Sequence, residues 1–288
     1  MPSVKMRIWD VKHGNAIYIR TPNNKTIVID LGRGDYSEDS DDRSPLETLR
    51  DHYGLTTIDY LVITHPHRDH IDDILNLKSF TVNCFHRPRD LDQKAILNNS
   101  SNRDREKFEK YFYLDSIYNA SVTGTSHDIT IPANYGGVSI KHFQTPHIND
   151  GNLNNRSIIT VVEYEGLKVV IPGDNEVKSI SELMENVTFR NKIKDCDILI
   201  APHHGRESAY HAEFVTLANP RLSIISDGSL CETSANPKYT GKSRGRLILQ
   251  KGKPVERKLL TTNCDGEIYI DFGRSDVSGK LFLNVKTK

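Results

Sequence analysis

ITHPHRDH, at residues 63–70, places four potential metal ligands within six positions. They are His65, His67, Asp69 and His70. The short apolar run at 58–64 that leads into them is typical of a buried strand. Two histidines two positions apart can reach one metal ion from an extended loop, and the Asp-His pair that follows can face a second ion. Imidazole and carboxylate suit Zn²⁺ and tolerate Mn²⁺ or Fe²⁺, so this segment predicts a metal centre at a strand end.

Two later segments can supply the remaining ligands of such a centre. IPGDN at 171–175 places Asp174 just past a strand, and APHHG at 201–205 places His203 and His204 just past another. Loops at strand ends are where side chains from remote parts of a chain converge. A lone Asp after Gly is usually a turn residue, and a histidine pair alone is ambiguous. Together with the first cluster, however, these residues complete two metal sites.

The composition is that of a folded, soluble protein without an overall charge. The 288 residues include 38 Lys and Arg and 38 Asp and Glu, so the formal net charge is zero. Proteins that hold nucleic acid mainly through global charge usually carry a clear basic excess. The balance argues against that class, although it leaves room for a local basic track.

The cysteines and the apolar runs bear on the cellular compartment. Cys84, Cys196, Cys231 and Cys264 are scattered without a CxxC pair, which predicts reduced thiols and neither a disulfide framework nor a cysteine-based zinc site. No apolar run approaches the roughly 18 residues of a membrane span. The N-terminal residues turn directly into a strand pattern, without a signal-peptide core. We therefore expect a soluble, cytoplasmic protein that does not bind membranes.

The predicted elements run in the order strands, helices, strands, helices, strands. Apolar alternation predicts a hairpin within 17–29, and cap signals predict a helix from Ser44 to about Tyr53. The remaining predictions are helices at 103–118 and 176–194, strands at 138–143, 157–164, 168–171, 198–200 and 222–225, and a hairpin of 259–262 with 267–272 around an NCDG turn. The acidic loop at 35–42 is interpreted as solvated, with a lid over the site as the alternative. This order fits a single domain, 1–288, made of two half-domains, about 1–125 and 126–288, each a sheet with helices outside.

A basic segment lies between Lys238 and Lys258. It holds eight cationic residues, Lys238, Lys242, Arg244, Arg246, Lys251, Lys253, Arg257 and Lys258, against the single acid Glu256. One interpretation is a solvated strand face. The other is a track for backbone phosphates beside the metals, because phosphate contacts position a nucleic acid. Lys242, Arg244 and Arg246 are the candidate substrate-binding residues of that track.

The ligand motifs resemble those of the metallo-β-lactamase fold. The HxHxDH signature of that family matches residues 65–70, and its Gly-Asp and His-His-Gly elements match Asp174 and the 203–205 segment. The resemblance implies an α/β protein of the αββα sandwich type. It also implies that Asp30, after the second strand of the hairpin, is a buried aspartate that orients a ligand loop.

Within that superfamily the chain is most similar to the soluble domain of the DNA-uptake protein ComEC and its stand-alone relatives. DVKHGNA at 10–16 and IDLG at 29–32 resemble the group's opening strand and hairpin end, and 155–157 and 262–266 resemble later segments. The resemblance favours the phosphate-track interpretation of the basic segment and nucleic acid as the partner. Two departures stand out: Asn15 replaces the group's Asp, and Thr145-Pro146-His147 only partly matches the loop that supplies a third histidine.

The resemblance implies a set of ligands for two divalent ions, Zn²⁺ or Mn²⁺. His65, His67 and His147 would hold one ion, Asp69, His70 and His203 the second, and Asp174 would bridge them. Water or a polar residue from 154–157 is the alternative to His147. The sequence does not decide which histidine of the 203–204 pair binds metal; we favour His203 and place His204 near the leaving group. Asp69, Asp174 and His204 are the candidate catalytic residues.

Two cations that share a water would lower its pKa from about 15.7 toward 7 and neutralise charge on a phosphoryl or acyl oxygen. We recognise no GxSxG nucleophile elbow and no phosphate-binding loop, which argues against acyl-enzyme chemistry and P-loop nucleotide hydrolysis. We predict a metal-dependent hydrolase, specifically a phosphodiesterase or nuclease whose metal-bridging hydroxide cleaves nucleic acid. The alternatives are a metallo-hydrolase of a small ester, lactone or thioester, and a regulatory member of the fold with a catalytically poor site.

Overall fold

The structure, a computed structural model, describes residues 2–34, 44–89, 91–145, 151–228 and 234–288. The strands are β1 Ser3–Ile8, β2 Ile17–Arg20, β3 Thr26–Ile29, β4 Thr57–Ile58, β5 Tyr60–Val62, β6 Thr81–Val82, β7 Phe85–His86, β8 Ser139–Phe143, β9 Ile159–Tyr164, β10 Leu167–Ile171, β11 Ile198–Ile200, β12 Leu222–Ile225, β13 Arg246–Gln250, β14 Lys253–Arg257, β15 Leu259–Thr261, β16 Ile268–Arg274 and β17 Leu281–Thr287. The α-helices are α1 Pro45–Asp51, α2 Arg68–Ile71, α3 Gln93–Asn99, α4 Arg105–Ile117, α5 Val177–Met184, α6 Val187–Ile193, α7 Ala212–Ala218, α8 Asn236–Lys242 and α9 Thr262–Asp265.

Two stacked sheets form the middle of the described structure. The first has nine strands in the order β14-β13-β17-β16-β1-β2-β3-β5-β7, and the second has six in the order β15-β12-β11-β10-β9-β8. Alternate residues of both sheets, among them Ile19, Val62, Val169, Ile224 and Phe272, meet in one buried apolar cluster. The alternation that predicts half-buried strands therefore places one row of each strand between the sheets.

Helices cover the outer faces of both sheets. Leu46 and Leu49 of α1 and Tyr111 of α4 pack on the outer side of the first sheet, around Val28 and Leu61. Helices α5, α6, α7 and α8 form a corresponding cluster with the outer side of the second sheet. The predicted αββα sandwich is confirmed.

Local signals explain where individual helices begin and end. Helix α1 has the predicted capping box, in which the Ser44 side chain accepts from the Glu47 amide and Glu47 bonds back to the Ser44 amide. The segment 176–194 is helical, as predicted, and it is divided into two helices, α5 and α6. The side chain of Asn186 accepts from the amides of Thr188 and Phe189 and so caps a new helix, α6.

The predicted hairpin between 259–262 and 267–272 is also wrong. β15 pairs in parallel with β12 in the second sheet, whereas β16 pairs with β1 and β17 in the first. The intervening residues form α9, where Thr261 Oγ1 accepts from the Cys264 amide and Asp265 accepts from the Thr261 amide. These side-chain bonds turn the NCDG segment into a crossover between the sheets.

One edge of the sandwich collects the C-terminal ends of parallel strands from both sheets. In the first sheet β3, β5 and β7 run parallel, and in the second β10, β11, β12 and β15 do so. The amide of Ile158 donates to the carbonyl of Thr64 at 3.0 Å and joins the two sheets at this edge. Loops after such strands are the usual place for ligands in α/β proteins. Among the described helices, none has both the length and the apolar content needed to cross a bilayer.

Candidate metal centre

Four potential ligands meet at this edge. One side-chain atom each from Asp69, His70, Asp174 and His204 lies within 4.8 Å of the others. Asp69 and His70 belong to α2, Asp174 follows β10, and His204 follows β11. We call these residues the four-ligand group. Because they come from both sheets, the sandwich itself sets their separation.

The contacts in this group are between imidazole nitrogens and carboxylate oxygens. Nε2 of His204 lies 3.1 Å from Oδ2 of Asp69 and 3.3 Å from Oδ2 of Asp174. Nε2 of His70 lies 3.3 Å from Oδ2 of Asp174 and 3.6 Å from Oδ2 of Asp69. All four atoms therefore point at one small volume.

The opposite nitrogen of each imidazole is already committed. Nδ1 of His70 donates to Asp30 at 2.8 Å, and Nδ1 of His204 donates to the carbonyl of Ser226 at 2.8 Å. In the neutral form of each ring, Nε2 therefore carries a lone pair that faces the carboxylates of Asp69 and Asp174. Nε2 of His70 is buried without a hydrogen-bond partner. Such a set of lone pairs needs a cation between them. A divalent metal fits this donor set.

The electrostatics of the group lead to the same conclusion. Burial disfavours charge on His70, but Asp174, Asp30 and Asp69 outweigh it and raise its pKa well above the usual value. Burial likewise opposes charge on His204, yet the carboxylates of Asp174 and Asp69 raise its pKa to about 10. Burial also opposes ionisation of Asp174, but its histidine neighbours hold the pKa well below its usual range. A field that binds protons this strongly also attracts a divalent cation, which can replace them.

A pair of histidines lies next to the four-ligand group. Nε2 of His65 is 2.9 Å from Nδ1 of His67 and 3.8 Å from Oδ2 of Asp174. Burial lowers the pKa of both imidazoles, so they are neutral, as metal ligands must be. Oδ1 of Asn154, which lies beside His67, is buried without a hydrogen-bond partner. His147, the expected third histidine, falls outside the described residues.

The two histidines of the HHG segment point to different partners. The sequence favours His203 as the ligand, whereas the structure brings His204 into the four-ligand group. Nδ1 of His203 lies 3.2 Å from Glu176, and its Nε2 is 4.0 Å from Oδ2 of Asp174. The segment forms a left-handed turn with φ angles of 47°, 53° and 71°, and a Cβ on Gly205 would lie 2.5 Å from the side chain of Ile225. This turn, which only glycine can complete, sets the orientation of both imidazoles.

Asp30 lies behind His70, completely buried. Its carboxylate accepts from the amide and hydroxyl of Thr64 at 2.7 and 2.8 Å and from Nδ1 of His70. Asn15, the departure from the family pattern, donates its amide to Oδ2 of Asp30 at 3.0 Å. The substitution thus places a donor, and not a second carboxylate, against a buried anion.

Two residues that the sequence does not single out border the centre. His13 has its Nε2 3.4 Å from Asp69 and its Nδ1 3.0 Å from Asp227, and its ring lies 4.5 Å from that of His204. Asp227 follows β12. The rule that identifies Asp174, an acid just past a predicted strand, would also have found Asp227. His13 lies inside the DVKHGNA segment, but no ligand spacing marks it.

The structure does not bring Lys242, Arg244 or Arg246 to the metal centre, although Lys238 forms an ion pair with Glu207, which lies three residues after His204. Arg244 donates to the carbonyls of Cys196 and Asn219, which precede β11 and β12. Arg246 donates to the carbonyl of Leu283, and Lys242 ends α8. The candidate ligand His204 follows the opposite end of β11, so the strand separates it from Arg244. The acidic loop proposed as a lid lies almost wholly outside the described residues.

Contrary to our prediction, GKSRG at 241–245 has the GxSxG spacing of a serine nucleophile elbow, but it lacks the geometry of one. It follows α8 and precedes β13, whereas an elbow joins a strand to a helix. The hydroxyl of Ser243 is buried, 2.8 Å from that of Ser223, and donates to the carbonyl of Tyr239. Ser243 is therefore a structural residue.

Comparison with known proteins points to one family. The profile of the Metallo-beta-lactamase superfamily matches residues 9–226. Among solved structures, CmlA, a diiron beta-hydroxylase from Streptomyces venezuelae, is 14% identical with a TM-score of 0.47, and the match covers 78% of this chain and 45% of that chain. A protein described as a metal-dependent hydrolase, from Parabacteroides distasonis, is 16% identical with a TM-score of 0.39, covering 78% and 84%.

A long form RNase Z from yeast is 12% identical with a TM-score of 0.39, covering 80% of this chain and 38% of that chain. This chain spans less than half the length of CmlA and of that RNase Z. No curated protein sequence matches it significantly.

Proposed function

Because the chain belongs to the metallo-beta-lactamase superfamily, we propose that it is a metal-dependent hydrolase that cleaves phosphodiester bonds of nucleic acid. The observation that carries the proposal is the position of Asp174. Its Oδ2 lies 3.8 Å from Nε2 of His65 and 3.3 Å from Nε2 of both His70 and His204. A single carboxylate oxygen of this member of the four-ligand group is thus also close to the His65–His67 pair. Asp174 would therefore be a ligand common to two metal ions.

The residues divide into two sets of ligands. Asp69, His70 and His204 would hold one ion, and His65 and His67 the other, with Asp174 common to both. A pair of divalent ions, when bound, would acidify water and stabilise negative charge on a phosphoryl oxygen. The chain itself fixes the orientation of the ligands through Asp30 and the carbonyl of Ser226.

A cation beside the centre supports a phosphate substrate over a neutral ester. Arg206 directly follows the HHG segment, and its backbone amide donates to the carbonyl of His203 at 3.0 Å. Nε of Arg206 is buried without a hydrogen-bond partner. Burial is the largest cause of the lowered pKa of His203, and the positive charge of Arg206 is a smaller one. A guanidinium with a free donor suits a phosphate oxygen. The similarity of the sequence motifs to the DNA-uptake group supports the same substrate class.

The experiment measures metal content and substrate class together. We expect about two metals per chain after loading with Zn²⁺ or Mn²⁺, and turnover of bis(p-nitrophenyl) phosphate and of single- or double-stranded DNA that stops with EDTA. His67→Ala should abolish both activities, whereas the exposed histidine control His52→Ala should keep them.

Two results would overturn the proposal. Hydrolysis of p-nitrophenyl acetate or a thioester without diester cleavage would make the protein an acyl hydrolase. Full metal loading without any hydrolysis would make it a metal-stabilised binding protein.

A further inference from the structure

The outer face of the nine-stranded sheet carries two cross-strand rows of cationic and aromatic residues. Strand pairing places Leu249, Lys286, Tyr269, Arg7 and Tyr18 in one row, and Asn284, Asp271, Lys5 and Arg20 in the next. The residues between them along each strand, Met6, Ile270 and Val285, belong to the core between the sheets. Since side chains alternate along a strand, both rows face outward. We call these two rows, with Tyr53 beside them, the sheet platform.

The platform is concave and its aromatic rings hold the cations in place. It lines a pocket of about 420 Å³. The guanidinium of Arg7 lies 5.4 Å from the ring of Tyr269 and 5.8 Å from that of Tyr53, and Nζ of Lys286 lies 5.0 Å from the ring of Tyr269. Tyr53 is 40% exposed. The rings of Tyr53 and of the half-buried Tyr269 are therefore accessible from solvent, whereas the side chain of Arg7 is only 11% exposed.

Positive charge is concentrated here although the chain is neutral overall. Arg7 is paired with Glu267 at 2.8 Å. Lys5, Arg20 and Lys286 are exposed, and none of them forms an ion pair with another described residue. Arg20 donates to Oδ1 of Asn24 at 2.7 and 3.0 Å, a neutral partner that leaves its charge uncompensated. Three cations without an ion-pair partner among the described residues, within two adjacent rows, suit a ligand with several negative charges.

We propose that the sheet platform binds single-stranded nucleic acid, with unstacked bases on Tyr269 and Tyr53 and phosphates on Lys5, Arg20 and Lys286. The inference rests on the proposed function, since it supplies the strand that the metal centre would cleave. Interleaved aromatic and cationic side chains on an open sheet are the chemistry by which proteins hold single strands. A duplex keeps its base faces stacked and unavailable to the tyrosine rings, so it should bind less tightly.

Asp271 adds a preference among bases. It is the one acid in the two rows, and its Oδ1 is buried without a hydrogen-bond partner. A buried acceptor with no donor in the described structure suits the exocyclic amino group of adenine, cytosine or guanine, which thymine and uracil lack. We expect tighter binding of dA12 than of dT12, and loss of the difference in Asp271→Ala.

Binding is measured by fluorescence anisotropy with labelled 12-nucleotide DNA and RNA strands, in EDTA so that nothing is cleaved. Lys5→Glu with Lys286→Glu should weaken binding at least tenfold and reduce the dependence of log Kd on log salt by about 1.4. The matched control, Lys78→Glu with Lys94→Glu, reverses two exposed lysines of the helical layer and should change nothing. Tyr269→Leu should cost about tenfold or more, while Tyr269→Phe, which keeps the ring, should bind like the wild type.

The outcomes separate this inference from the proposed function. Unchanged binding in the Lys5/Lys286 and Tyr269→Leu variants, or equal binding of duplex and single strands, would overturn the platform. Hydrolysis of bis(p-nitrophenyl) phosphate should be the same in the Lys5/Lys286 variant as in the wild type, because that substrate is too small to reach both places. A protein without diesterase activity would refute the proposed function alone, since binding in EDTA does not depend on it.

Discussion

Gly173 packs against Thr64 so closely that a Cβ on the glycine would lie 2.9 Å from the Cβ of Thr64. The contact joins the loop after β10 to the loop after β5, which belong to different sheets. Gly173 has a left-handed φ of 60°, and its carbonyl accepts from the amide of His203 at 3.1 Å. The next residue, Asp174, donates its amide to Ser157 Oγ at 3.1 Å. The close approach of Gly173 to Thr64 therefore positions Asp174, the carboxylate that the two proposed metal sites would share.

Gly173→Ala should destabilise the fold and weaken metal binding together. The left-handed φ costs about 1–2 kcal/mol for alanine, and the collision with Thr64 adds about 1–3 kcal/mol. Gly166→Ala is the matched control, because Gly166 has a φ of 81° with nothing within 4 Å of a Cβ. It should show only the first cost and normal metal content. Urea denaturation and elemental analysis measure both effects, and equal losses in the two variants would show that the contact with Thr64 is unimportant.

Asp30→Asn should reduce metal affinity without removing a ligand. The carboxylate of Asp30 fixes Nδ1 of His70 as the donor, so that Nε2 faces the metal site. Loss of such a partner typically costs about 10–100-fold in affinity. Asp59→Asn serves as control, since Asp59 is also a buried acid but bonds the Thr26 amide and Lys25. Zinc titration against a chelator gives the affinities; an unchanged value for Asp30→Asn would limit Asp30 to a structural role.

The stability of the metal-free protein should fall as the pH rises above about 6.5. In the folded state the carboxylates of Asp174 and Asp69 overcome burial and raise the pKa of His204 from 6.5 to about 10. A group with a raised folded pKa contributes stability that is complete below its unfolded pKa and is lost as the pH passes the folded one. The loss amounts to about 5 kcal/mol by pH 10. Chemical denaturation in EDTA across this range should show the decline, which Zn²⁺ should suppress and His204→Gln should flatten; a pH-independent metal-free protein would contradict it.

Sequence patterns predict the candidate ligands because each lies after the end of an apolar strand. The alternation in β1, β2 and β3 and the capping box of α1 are local features, so residues close in sequence suffice to predict them. The hairpin predicted over 259–272 failed for the opposite reason. A turn signal does not reveal that Leu260 and Ile268 enter the core from facing sheets.

Long-range contacts also decide what the sequence left open at the site. Which of two adjacent histidines faces Asp69 depends on the left-handed turn that Gly205 forms against Ile225. Arg244 contacts the residue that precedes β11, at the end of the strand opposite to His204. A cluster of charges in the sequence does not reveal which end of a strand it will contact. His13, which lies 3.4 Å from Asp69, is brought there by tertiary structure alone.

His204→Ala should lower the metal content, whereas His203→Ala should leave it unchanged. Nε2 of His204 is 3.1 Å from Asp69 and 3.3 Å from Asp174, whereas Nε2 of His203 lies 4.0 Å from Asp174 and its Nδ1 faces Glu176. His204→Ala removes a ligand, so affinity at that position should fall by more than about 100-fold, beyond the effect of losing an outer partner.

The metal content of His204→Ala should therefore drop from about two ions per chain to about one. His203→Ala should retain both ions, because its imidazole is outside the four-ligand group. Both histidines share one backbone turn, so each variant is a control for disturbance of the loop by the other. Elemental analysis after dialysis against a weak chelator distinguishes them. Metal lost from His203→Ala but kept in His204→Ala would reverse the assignment and make His203 the ligand, as the sequence favours.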